Sequence, residues 1–240
     1  MKNTRRRAAT WNARLVLTMG EHSVQESVGF REEDIERETA TTKARYDRIA
    51  PIYDLMEWFI EYLAFQDWRR ELWSHVPAGR ILEVGVGTGK NMPFYPEGAQ
   101  VTAIDLSERM LSRAQGRADE MNIKVDLRNM DVQNLEFPDD AFDAAVATFV
   151  FCSVPIAVQG LRELGRVVKP DGDIWLLEHV RVNRPVIGPI MDALNPIVVR
   201  VMGPNINRRT VENVKRAGLN VVQVENLTGE LVKLIHARPQ

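Results

Sequence analysis

The sequence predicts an α/β fold: a doubly wound, mostly parallel seven-stranded sheet with helices on both faces, preceded by an N-terminal helical lid. Three observations carry that expectation. From Gly79 onward, short apolar runs alternate with stretches of helical period. A glycine-rich turn follows the first buried run directly. The stretch Tyr46–Trp73 holds 8 of the chain's 17 aromatic residues, a concentration that calls for a dedicated apolar layer.

The bulk numbers bound the reading before any motif is weighed. A chain of 240 residues suits one domain with a short appendage. Its 33 acidic and 31 basic residues give a net charge of -2, which lacks the basic excess of a phosphate-binding surface, so no nucleic-acid partner is expected. The lone cysteine, Cys152, rules out an intrachain disulfide and argues against a cysteine-based metal site; no metal is expected. This cysteine usage fits a reducing compartment and a cytoplasmic location. No apolar run reaches the roughly 18 residues of a spanning helix.

Residues 1–40 read as a leader, expected to be mobile. A basic start (Lys2, Arg5, Arg6, Arg7, Arg14) gives way to the acids Glu32, Glu33, Asp34, Glu36 and Glu38, and no secretory signal is read there. A basic arm touching anionic lipid is the functional alternative. Residues 41–78 form the lid, with Ile49, Tyr53, Met56, Ile60 and Ala64 at helical spacing. In the core, 79–240, strands are predicted at Arg80–Val84, Val101–Ile104, Ile123–Leu127, Asp143–Val150 and Asp173–Val180. Helices are predicted at Ser107–Met121, with Ser107 as its cap, and at Pro155–Val168, whose Ile156, Leu161, Leu164 and Val167 share a side. Lys169-Pro170-Asp171-Gly172 is a turn by composition. An apolar insertion near 186–207, punctuated by Pro189 and Pro196, precedes a helix at Arg208–Ala217 and two closing strands, Leu219–Val224 and Leu231–Ala237.

The glycine turn, Glu83-Val84-Gly85-Val86-Gly87-Thr88-Gly89, decides the ligand class by its spacing. Such a turn lets backbone amides approach a ligand at a helix start. A phosphate-binding P-loop fails twice: Val84 stands where its first glycine belongs, and Asn91 replaces the Ser/Thr after Lys90. The dinucleotide fingerprint would put its third glycine at Lys90, but it falls one early, at Gly89. What remains is Glu-x-Gly-x-Gly-x-Gly. Twenty residues after Gly85, Asp105 ends the second strand, where a carboxylate can accept from both hydroxyls of a ribose.

These residues resemble motif I of the class I S-adenosylmethionine-dependent methyltransferases. Met130-Asp131-Val132 is similar to the family's adenine-contacting motif, Pro138–Asp143 to motif IV, and Arg162–Gly172 to its post-core helix and turn. The resemblance covers about residues 43–238. It implies a Rossmann-like fold and S-adenosyl-L-methionine as cofactor. The donor is expected on Glu83, Gly85, Gly87, Gly89, Asp105, Leu106, Met110, Asp131, Val132 and Thr148.

Methyl transfer from a sulfonium asks the protein mainly to align acceptor and methyl and to exclude water. A missing triad or metal cluster is therefore no objection. The acceptor wall is expected from the fourth strand's end (Phe149, Phe151, Cys152, Ser153) and the fifth's (Glu178, His179). His179 is the candidate proton acceptor, with a hydrogen-bonded strand-tip histidine as the plain alternative. Cys152 reads as a small packed residue. Tyr46-Asp-Arg-Ile-Ala-Pro-Ile-Tyr53-Asp54 resembles the N-terminal motif of the quinone C-methyltransferases and of the bacterial phospholipid N-methyltransferases. In the latter, tyrosines hold the headgroup phosphate, which implies substrate-binding and catalytic roles for Tyr46 and Tyr53. The quinone enzymes carry Arg-Asn-Val after motif IV, whereas this chain has Phe151-Cys-Ser-Val-Pro155. The expected acceptor is a lipid amine such as phosphatidylethanolamine, met at a membrane surface, with C-methylation of a quinone precursor or methylation of another small hydrophobic molecule as the alternative. Arg181, Arg184, Arg208 and Arg209 are candidates to pair with its phosphate.

Overall fold

The computed structural model describes residues 32–60, 65–201 and 205–240; the side chains of residues 32, 49–60 and 196–201 lie outside that description, as do residues 1–31. The unit that carries the sheet spans Thr39–Gln240. Its strands are β1 (Arg80–Val84), β2 (Gln100–Asp105), β3 (Asp126–Asn129), β4 (Phe142–Thr148), β5 (Val168–His179), β6 (Asn220–Thr228) and β7 (Val232–Arg238). The helices are α1 (Glu32–Ile60), α2 (Gln66–Ser74), α3 (Glu108–Met121), α4 (Ala157–Val167), α5 (Ile187–Val201) and α6 (Thr210–Arg216).

The seven strands lie in the order β3-β2-β1-β4-β5-β7-β6. β1 to β5 pair in parallel, and β7 runs antiparallel between β5 and β6. Burial is near-continuous along β1 and β4, as a sheet covered on both faces demands, while successive side chains go to opposite sides. On one side Leu82, Val84, Ile174 and Leu176 meet Leu161 and Leu164 of α4 and Val214 of α6. On the other, Ile81, Ala144, Val146 and Leu177 meet Leu72 and Trp73 of α2 and Ala114 and Ala118 of α3. Both faces are thus covered, and the doubly wound expectation holds.

Three boundaries differ from the sequence reading. β3 begins at Asp126 rather than Ile123, because Asn122 closes α3 in the left-handed region (φ 53°) and Ile123–Val125 carry the chain back to the sheet. The composition turn 169–172 lies within β5: pairing jumps from Phe142↔Val168 to Ala144↔Asp173, so these residues loop out as a bulge. Gly172 permits this, since a Cβ there would lie 2.6 Å from the Asp143 carbonyl oxygen. α1 begins at Glu32, inside the segment read as leader; acids in its first turn suit a helix start.

The chain steps outward through β2 and β3, then returns to lay β4 against the other side of β1. That reversal opens a crevice at the carboxyl ends of β1 and β4, where open α/β sheets bind ligands.

Candidate active site

A cleft of about 740 Å³, its open mouth included, sits at this crevice. One wall is made by Gly85 and Gly87 after β1, Asp105 and Leu106 after β2, Met110 of α3, and Met130–Gln133 after β3. The opposite wall is the chain after β4, Phe149–Val150 and Ser153–Pro155, together with Thr42 and Tyr46 of α1.

The first wall is set by backbone geometry. Gly85 and Gly87 adopt φ of 67° and 56°, the left-handed region that side chains resist. A Cβ on Gly85 would lie 2.5 Å from Val150 Cγ2, so β1 and the β4 loop approach this closely only because the residue is glycine. Asp105 locks the turn: its Oδ2 accepts from Gly87 N (2.9 Å) and its Oδ1 from Ser107 N (2.9 Å). Burial raises its pKa, and the two amides hold it down. Each carboxylate oxygen keeps a second lone pair, so a ribose diol can still be accepted. Asp131 accepts from Gln133 N (2.9 Å) and from its side-chain amide (2.9 Å to Oδ2), while Gln133 Oε1 accepts from Ile156 N (2.9 Å). Gln133 therefore braces Asp131 against the start of α4. Sequence reasoning missed it, because nothing about a single glutamine announces partners 23 residues apart.

Three expected donor residues stand elsewhere. Glu83 is fully buried behind the turn, accepting from Asn91 Nδ2 (2.6 Å) and from the Tyr95 hydroxyl. Thr148 accepts from the same Asn91 amide (3.1 Å), and Arg69 donates to Asn91 Oδ1 (2.8 Å). Gly89 packs where a Cβ would meet Met92 and the Ala114 backbone. None of the three lines the cleft; they hold the shape of the loop that does. Burial raises the pKa of Glu83. Asn91, the residue that disqualified a P-loop, is the hub of this network.

The opposite wall, where the acceptor is expected, is assembled from distant elements. Tyr46 reaches Ser153 with a 2.6 Å hydroxyl–hydroxyl hydrogen bond. Burial raises the Tyr46 pKa, so its phenol stays protonated and works as a hydrogen-bonding group. One turn position away, Asp47 accepts from Ser107 Oγ (2.5 Å) and pairs with Lys43 (3.1 Å), seating α1 on the N-terminus of α3. Phe149 has φ 57°, rare for a ring-bearing residue, and its amide donates to Leu177 O. Glu178 explains how that strain is held: its fully buried Oε1 accepts from both Val150 N and Phe151 N (2.9 Å each). Burial lifts its pKa to about 7, against the pull of those amides.

The remaining expectations are placed as follows. His179 stacks on Phe149 (centroids 4.4 Å apart, 27° between planes) and lies behind it, outside the cleft lining; burial lowers its pKa. Cys152 is buried, and burial pushes its thiol up to about 12, which suits packing. The side chain of Tyr53 is outside the described residues. Arg181 is committed to Asp192 (2.8 Å), Arg184 to Glu230 (3.2 Å), Arg208 to Val154 O (2.7 Å) and Arg209 to Glu212 (3.3 Å). None of these four lines the cleft, so the expected phosphate clamp of arginines is not assembled at its wall.

The cleft as built suits an adenosyl sulfonium: a glycine turn that brings backbone close, an acid for a diol, apolar Leu106, Met110 and Val132 for a base. A family profile described as a methyltransferase domain matches residues 81–172, which contain this wall. A phosphatidylethanolamine N-methyltransferase of Cereibacter sphaeroides is 38% identical over 130 residues, 52% of this chain and 64% of that one, so the match spans a little under two thirds of that relative. A demethylmenaquinone methyltransferase of Renibacterium salmoninarum is 30% identical over 174 residues, 71% of this chain and 70% of the relative. A solved S-adenosylmethionine-dependent methyltransferase of Thermotoga maritima superposes with a TM-score of 0.64 at 21% identity, covering 82% of this chain and 99% of that one, which shows the shared fold. Identity and coverage of this order, with the domain match lying over the cradle itself, place the chain in the S-adenosylmethionine-dependent methyltransferase family, with S-adenosylmethionine as its methyl donor.

Proposed function

We propose that the enzyme methylates the amine of phosphatidylethanolamine or a related lipid at a membrane surface. The observation that carries this is the Tyr46–Ser153 hydroxyl pair on the wall opposite Asp105: one hydroxyl donates to the other, which leaves one neutral donor for a phosphate oxygen, while Phe149, Val150 and Val154 surround the rest of the acceptor. Likeness to the Cereibacter phosphatidylethanolamine N-methyltransferase supports it. Bound in the cleft, the donor supplies a methyl group on a positively charged sulfur. Asp105 and the glycine turn fix that donor, Tyr46 and Ser153 orient the headgroup, and the apolar wall excludes water. Alignment of this kind contributes up to about 7–11 kcal/mol to lowering a barrier.

No helix among the described residues is long and apolar enough to cross a membrane. A second reading, C-methylation of a quinone precursor, is favoured by the Renibacterium relative. Purified enzyme with methyl-labelled donor, offered phosphatidylethanolamine vesicles and a demethylated quinone precursor in parallel, separates the two. Label in the lipid is expected; label only in the quinone overturns the lipid reading.

A further inference from the structure

The surface that would bring the enzyme to its acceptor is legible on α5. Four of the eight exposed bulky apolar side chains among the described residues fall within nine positions: Val186 (68% exposed), Ile187 (44%), Ile190 (52%) and Leu194 (48%). Ile187, Ile190 and Leu194 are spaced i, i+3, i+7, which makes one stripe along the helix. The adjoining edge of the helix is anchored inward: Met191 is buried, and Asn195 bonds Asn205 Oδ1 (3.1 Å) and Ile206 N (2.9 Å). The apolar stripe is therefore the side turned to solvent.

The charge around it is as uneven as the hydrophobicity. Residues 181–216 carry seven Lys/Arg and two Asp/Glu, a local charge of +5 in a chain whose net charge is -2. The pairs Arg184–Glu230 and Arg209–Glu212 are exposed, and exposed ion pairs exchange partners at little cost. An apolar stripe within a basic segment is the pattern of a helix that lies in a lipid headgroup layer. The same helix is tied to the cleft: Asn205 donates from its backbone (2.9 Å) and side chain (3.0 Å) to Cys152 O, next to Ser153 of the acceptor wall.

We propose that the outer stripe of α5, Ile187, Ile190 and Leu194, with Val186 in the turn before it, docks the enzyme on an anionic lipid surface, with the basic segment 181–216 meeting the headgroups. This deepens the lipid-amine reading and rests on it for the link to turnover, whereas the docking itself is measured without turnover. The test is flotation of the full-length protein with phosphatidylcholine vesicles that contain or lack phosphatidylglycerol. The wild-type protein is expected to float with the anionic vesicles and to release them as salt rises. The Ile190→Glu/Leu194→Glu variant is expected to lose binding by at least about tenfold, with donor affinity by calorimetry unchanged, which shows that it folds. Wild-type protein that ignores anionic vesicles overturns the proposal. So does a variant that binds them as well as wild type, or one that merely converts a dimer to a monomer in light scattering. Docking lost in the variant while the wild type leaves phosphatidylethanolamine unmethylated sinks the acceptor reading and keeps the docking face. Methylation of the lipid in detergent micelles by a protein that never floats does the reverse.

Discussion

The two walls of the cleft are built on different principles. The first wall is a set of strand tips where backbone amides meet carboxylates: Gly87 N on Asp105, 18 positions away, and Ser107 N on Asp105 and Gln133 N on Asp131, each two positions away. The acceptor wall joins residues from α1, the β4 loop and β5 that are up to 107 positions apart. One wall is shaped by backbone conformation and short-range capping, the other by side chains that only the tertiary fold brings together.

The contrast is broken most sharply at Asp105. Asp105→Ala removes the acceptor for a ribose and leaves the Gly87 and Ser107 amides without their carboxylate, at about 1–3 kcal/mol each. Donor affinity is expected to fall about 100-fold, the larger part of the amide cost being felt in the bound state. Calorimetric titration checks it, and an affinity within threefold of wild type would remove Asp105 from the donor site. Tyr46→Phe probes the other wall. Loss of the 2.6 Å bond to Ser153 should lower turnover about tenfold, as removal of one hydrogen bond that positions an acceptor does, with donor affinity within about twofold. A matching loss of donor affinity would show that the walls are not separable.

A subtler break lies in Glu178. Its folded-state pKa stands at about 7, raised from the ordinary 4.5 by burial. The folded protein thus binds this proton more tightly than the unfolded chain. The stabilisation is full below pH 4.5 and is lost as pH rises through about 7. Melting temperature compared between wild type and Glu178→Gln should show a difference that changes steadily across that window, the variant keeping an oxygen for the Val150 and Phe151 amides but lacking the proton linkage. Parallel curves would refute the placement. The smallest effect is expected from His179→Asn. Because the imidazole stacks behind Phe149 instead of lining the cleft, turnover should stay within about threefold and its pH profile should not move. A lost titration limb would restore His179 as the proton acceptor.

Much of the fold was open to inspection in the sequence because its signals are local. The apolar runs of β1, β2, β4 and β5, and the Ser107 cap whose Oγ accepts from Met110 N at 3.1 Å, follow from period and capping chemistry. The bulge in β5 escaped, since Lys169–Gly172 has turn composition and only the pairing with β4 shows that the strand resumes around it. At the site, the sequence marks the motif but not its division of labour: Glu83 and Gly89 sit within the motif yet support it from behind, and Arg181 and Arg209 are occupied by carboxylates.

The sequence by itself determined the alternating architecture, the cradle between Gly85 and Asp105, and the family, because each depends on residue type and short spacing along the chain. The tertiary structure alone decided which wall each residue joins. Glu178 and Gln133 brace loops rather than substrates, Phe149 screens His179, and Tyr46 meets Ser153. These are outcomes of burial and of which polar groups must find partners once water is excluded, and chain separation carries no trace of them.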